Sequence, residues 1–212
     1  MRVRAESVIP GKKKTAVLCA FCFEDTDVPI GIEKFNKKIV DTVLQSVKEI
    51  KGKKNKISII HSHKEIPPER ILIAGLGKKN KITSDIIRDV TGNITKKVHE
   101  LGIKEFTIIV PNKIPIKNDQ IISAIVEGAN LSLYDFDLFR KEKSNKNQPD
   151  LSLLFPDKST SEEVNVHNII KNSIIISDAV KFTRDVANLP PNECPPAKLG
   201  EIAKKIANKN KM

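Results

Sequence analysis

The sequence predicts an α/β protein: a mixed or mainly parallel sheet flanked by helices, then a long connector helix and the first helix of a second, incomplete domain. Three observations carry this. Short continuous apolar runs alternate with stretches of three- and four-residue apolar periodicity, the pattern of strands covered on both faces by helices. Two Pro-Pro steps, at Pro190 and Pro195, interrupt two helical patterns near the end of the chain. And 39% of the 212 residues are hydrophobic, enough for a globular core.

Taken in order, Thr15 to Phe23 (TAVLCAFCF) is an apolar run expected to be a buried strand. Ile32, Phe35, Ile39, Val43, Val47 and Ile50 then form one stripe with Lys and Glu opposite, a helix ended by Gly52 and the KGKKNK run. Ile57 to His61 and Arg70 to Ala74 are expected strands, separated by a turn at Pro67-Pro68. A second helix is capped by Thr83 or Ser84, runs through Ile87, Val90, Ile94 and Val98, and stops at Gly102. Glu105 to Val110 is a strand, and Asp119 opens a third helix through Ile122, Ile125 and Ala129. Lys141 to Asp150 has no apolar residue and is expected to be a surface loop; Leu151 to Phe155 is the strand that closes the first domain.

Ser161 to Asn188 is expected to be one long helix. Its Ile174-Ile175-Ile176 run is too β-branched for an isolated helix, which places it between two packed bodies. Proline pre-sets φ and cannot continue a helix, so the chain must turn between Asn188 and Pro196. The elbow comprises Arg184, Asp185, Asn188, Pro191 and Asn192, with Arg184 and Asp185 expected to hold it by a salt bridge or cap. Only 16 residues follow Pro196, too few for a core of their own. The expected organisation is therefore 1–156 as the first domain, 157–191 as connector and elbow, and 192–212 as the start of a domain that is missing.

The formal charge is +11, from 37 Lys and Arg against 26 Asp and Glu. The lysines fall in short clusters in expected turns, and aromatics are only 4%, so solvated loops are favoured over nucleic-acid binding. No apolar stretch reaches the roughly 18 to 20 residues that span a bilayer, and Met1 to Pro10 lacks the apolar core of a signal peptide. A cytoplasmic, membrane-free protein is expected, and the three cysteines suit a reduced compartment.

Cys19 and Cys22 have the spacing of a redox pair or half a zinc site, but residues three apart on a strand point to opposite faces, so buried thiols are expected instead. His61 and His63 share a strand face in this reading, yet lack supporting carboxylates for a metal. Gly75 and Gly77, with Lys78 and Lys79, follow a strand and precede a helix; they are a candidate phosphate-binding turn, set against a turn that merely needs glycine. None of the four histidines sits near a convincing nucleophile, so no catalytic residue is assigned.

Three stretches in order, Arg70 to Thr83 (RILIAGLGKKNKIT), Glu127 to Asp137 (EGANLSLYDFD) and Arg184 to Pro196 (RDVANLPPNECPP), resemble the leucyl aminopeptidase family of cytosolic metal-dependent aminopeptidases. Pro195 departs from the family, which usually has Thr there, and puts the following helix cap in question. The resemblance implies a macro-like N-terminal α/β domain, a long helix, and a larger catalytic domain. It also implies two divalent ions, zinc or manganese, whose bridging water attacks the carbonyl beside a free N-terminal residue. The ligands belong beyond Met212, so no metal is expected on this chain, which would be inactive alone. Peptide substrates and a homo-oligomer, hexameric in the family, are further implications. Two other readings stay open: a stand-alone macro-like module binding a nucleotide or ADP-ribose phosphate at Gly75 to Lys79, and a basic DNA-binding regulatory domain.

Overall fold

The computed structural model describes residues 1–26, 28–32, 35, 37–112, 114–140, 148–156 and 165–210. The start of the long helix at Ser161, the domain boundary at 157, most of the loop expected over 141–150 and Met212 lie outside the described residues. So does the side chain of Ile39.

Six strands form one sheet: β1 (Val3–Glu6), β2 (Val17–Cys22), β3 (Ile57–His61), β4 (Arg70–Gly75), β5 (Glu105–Ile109) and β6 (Asp150–Leu154). Their order is β1-β6-β5-β2-β4-β3, parallel except for the antiparallel β3–β4 pair. The helices are α1 (Lys37–Ile50), α2 (Ser84–Glu100), α3 (Asn118–Ser132), α4 (Val166–Ala187) and α5 (Pro196–Asn210). The expected mixed, mainly parallel sheet flanked by helices is what the chain forms.

β2 explains why its sequence is apolar without alternation. Val17, Cys19 and Phe21 face the core shared with α2, α3 and α4, while Leu18, Ala20 and Cys22 face the second core under α1. Both faces of the strand are buried, so period two leaves no polar position. The same split runs through β4, with Leu72 and Ala74 on one side and Ile71 and Ile73 on the other.

The helix signals act as their chemistry requires. Thr83 caps α2 by accepting a hydrogen bond from the Ile86 N–H at 3.3 Å, and Gly102, at φ +67°, ends it. α1 begins at Lys37 rather than at Ile32, which is buried but lies before the helix. β1 was not expected. Only four residues long and without an apolar run, it is held at the sheet edge by main-chain pairing, with Leu151 N–H donating to the Arg2 carbonyl and Phe155 N–H to the Glu6 carbonyl, both at 2.9 Å.

α4 buries a narrow stripe, Val166, Ile170, Ser173 and Ser177, against α3. Small serines let the two helices approach. The expected burial of the Ile174 to Ile176 run on more than one side does not occur among the described residues: Ile174 packs on the core, but Ile175 and Ile176 are exposed. α5 buries none of its residues. Pro196 is its first residue, and the Pro195 carbonyl accepts from the Leu199 N–H at 3.1 Å, so the Pro195 departure leaves the first turn hydrogen-bonded.

Candidate functional site

The elbow is built around a residue that sequence reasoning left without a role. The Tyr134 hydroxyl, in the segment after α3, donates to Asp185 Oδ1 at 2.9 Å and accepts from Asn188 Nδ2 at 3.2 Å. The Arg184 guanidinium lies 5.5 Å from the Tyr134 ring centroid, a cation–π contact. Arg184 and Asp185 thus both engage Tyr134, and the Arg184 carbonyl accepts from the Asn188 N–H at 2.9 Å at the end of α4. The signal was available: Tyr134 is the chain's single tyrosine and lies within Glu127 to Asp137. Beyond it the chain turns at 190–194, where the Pro190 carbonyl accepts from the Glu193 and Cys194 N–H groups at 2.9 and 3.2 Å. Pro191 and Asn192 are exposed on that turn.

A cleft of about 910 Å³ opens beside the elbow, between the 132–138 segment, the last turns of α4 and Ile202 of α5. Its wall is apolar at Leu133, Phe136, Phe182 and Val186, and polar at Tyr134 and Asp185. Tyr134 is shifted above its ordinary value, first by desolvation and then by Asp185, against the opposing effect of Asn188. The hydroxyl therefore stays protonated and donating at neutral pH.

The other candidate residues fall elsewhere. Cys19 and Cys22 lie in different cores, as their spacing required; burial pushes both thiols up, Cys22 to about 12. His61 ends β3, whereas His63 lies beyond the strand with φ +50°, so the two do not share a strand face; their exposed rings are 6.3 Å apart and tilted. At the Gly75–Lys79 turn the N–H groups of Gly75, Leu76 and Gly77 donate to the carbonyls of Lys56, Cys22 and Gly52. Any phosphate there would meet the Lys78 and Lys79 side chains rather than those three amides. Among the described residues no group of three or more His, Cys, Asp and Glu could hold a metal ion. No helix among them is long and apolar enough to cross a membrane.

Fold and elbow define the class: a mixed, mainly parallel α/β domain that continues through a long helix into a helical extension. Within it, the chain belongs to the cytosol aminopeptidase family, whose N-terminal domain matches residues 21–143. A probable cytosol aminopeptidase of Cenarchaeum symbiosum is 36% identical over 212 residues, all of this chain and 41% of that protein. Another, from Sulfurihydrogenibium sp., is 30% identical over 92% of this chain and 39% of its own length. The chain thus spans about two-fifths of the curated relatives it matches. Among solved structures, a mutant of tomato leucine aminopeptidase superposes with a TM-score of 0.72 at 17% identity, over 99% of this chain and 42% of that one. The bottromycin maturation enzyme BotP does so at 0.68 and 13%, over 93% and 38%. At those identities the likeness is one of fold.

Proposed function

We propose that this chain serves as the N-terminal portion of a metal-dependent aminopeptidase that releases N-terminal residues from peptides, with hydrolysis carried by a catalytic part lying after the Pro elbow. One observation supports it most: α4 and α5, on either side of the elbow, carry large apolar residues left exposed among the described residues, Ile175, Ile176 and Phe182 on one and Leu199 and Ile206 on the other. Such faces are what a second packed body would bury. A two-ion centre does not fit the described residues, so no catalytic step is assigned to them; zinc or manganese would be held by the catalytic part. The role left to this domain is to shape access to the active site and to support a homo-oligomer, a hexamer by family resemblance, in the cytoplasm.

The test is a chimera. Joined at its elbow to the remaining part of the Cenarchaeum relative, the chain should restore manganese-dependent cleavage of a leucyl chromogenic substrate, while the 212-residue chain alone stays at background. Turnover by the chain alone would overturn the assignment. So would a folded but inactive chimera alongside an active full-length relative.

A further inference from the structure

The turn between β3 and β4 brings together two histidines that the aminopeptidase reading leaves without a role. At its entrance the Ser62 side chain turns inward: the residue is 2% exposed, and its hydroxyl and its N–H donate to the Glu69 carbonyl at 3.1 and 3.0 Å. Its two neighbours, His61 and His63, are both exposed. Glu65 N–H donates back to the Ser62 carbonyl at 2.9 Å, closing the turn, and Glu69 N–H donates to the Thr15 carbonyl at 3.1 Å, tying its far end to the segment before β2. His63 and Lys64 are held left-handed, at φ +50° and +66°, a backbone state that side chains rarely adopt and that surrounding structure must impose. The imidazole rings stand 6.3 Å apart, centre to centre, on the wall of a cavity of about 650 Å³.

Two imidazoles at adjacent corners of one ion, each bonded at about 2.1 Å, have ring centres about 5 Å apart. Rotation about the side-chain bonds of two exposed residues closes that difference. The other charges on the cavity wall cancel: Lys64 and Arg70 stand against Glu65 and Glu69, with Arg70 3.8 Å from Glu69. An arriving dication therefore meets no net repulsion. Imidazole nitrogen also selects among metals. It suits nickel, copper and zinc, whereas magnesium and calcium take oxygen donors, and manganese stands lowest in the affinity order of the divalent first-row ions. Two protein ligands leave the remaining positions to water, in accord with the absence, among the described residues, of any group of three or more His, Cys, Asp and Glu able to hold a metal. We propose that His61 and His63 together chelate a divalent cation of the nickel, copper and zinc group. The assignment uses no residue of the elbow and stands whether or not the aminopeptidase reading does.

Calorimetric titration of the tag-free 212-residue chain with Ni²⁺, which unlike Cu²⁺ does not oxidise Cys194, tests it. Binding should saturate near one ion per chain, and Mg²⁺ in place of Ni²⁺ should give no saturable heat. Each single variant, His61→Gln and His63→Gln, should lose about 100-fold in affinity, the scale on which a second tethered donor improves on one alone. The double variant His99→Gln, His167→Gln, which removes the chain's other two histidines, should bind as the parent does. Circular dichroism melts verify that the variants are folded. Three outcomes overturn the proposal: no saturable binding of Ni²⁺, a loss in only one of the two single variants, or an equal loss in the double variant.

Discussion

Tyr134 donates its hydroxyl proton to Asp185 Oδ1 at 2.9 Å, fastening the segment after α3 to the last turn of α4. Because it is the chain's single tyrosine and there is no tryptophan, near-ultraviolet tyrosinate absorbance reports this one contact. Desolvation and the Asp185 carboxylate raise its ionisation above 10.0. A raised value means the tie is intact below the unfolded value and is lost as pH climbs through the folded one. The titration midpoint should lie above that of free tyrosine and move downward in Asp185→Ala. In Tyr134→Phe, amide exchange should quicken at 184–189 while the sheet is unaffected.

Cys19 and Cys22 give a second pH-dependent observable. Both thiols are disfavoured as thiolates by burial, which raises Cys22 to about 12 from 9.0. The unfolded chain ionises first, so stability holds below about pH 9 and declines above it. At neutral pH a thiol alkylating reagent should label the half-exposed Cys194 in the native protein and all three cysteines in denaturant. Rapid native labelling of all three would contradict the placement of Cys19 and Cys22 in separate cores.

Two glycine substitutions should separate the packed helices from the free one. A Cβ at Gly128 of α3 would lie 2.3 Å from the Arg88 carbonyl oxygen of α2, so Gly128→Ala must push the two helices apart, at about 3 kcal/mol by urea unfolding. A Cβ at Gly200 of α5 would meet nothing within 4 Å. Gly200→Ala should add far-ultraviolet helicity, consistent with a preference of about 1 kcal/mol for alanine in a helix, and leave the cooperative unfolding midpoint in place.

The strands buried on both faces and the helices with clear caps were legible because each has a local chemical signature: β2 and β4 by unbroken apolar runs, α2 by Thr83 and Gly102. β1 was not, because its four residues owe their conformation to the partner strand β6 rather than to their own pattern. The Pro elbow was legible, but its fastening was not: Tyr134 and Asp185 are 51 positions apart, and nothing in local spacing pairs them.

The uncovered helix faces yield the prediction most closely tied to the proposed role. Ile176 of α4 is 52% exposed and Phe182, in the wall of the cleft, is 44% exposed, so in the isolated chain each has only about half of its full burial to lose. The double variant Ile176→Ser, Phe182→Ser should therefore cost about 2 kcal/mol of unfolding stability, roughly half of what full burial of two such side chains contributes. It should also reduce binding of a hydrophobic-surface dye, because it removes much of the exposed apolar area on α4. In the active chimera the same pair of changes should cost several times more, since there the face is covered by the catalytic part and its loss leaves a cavity. Comparing the two costs by denaturant unfolding separates a face that is buried in the whole enzyme from one that is merely exposed: equal effects in both proteins would show that the catalytic part packs elsewhere.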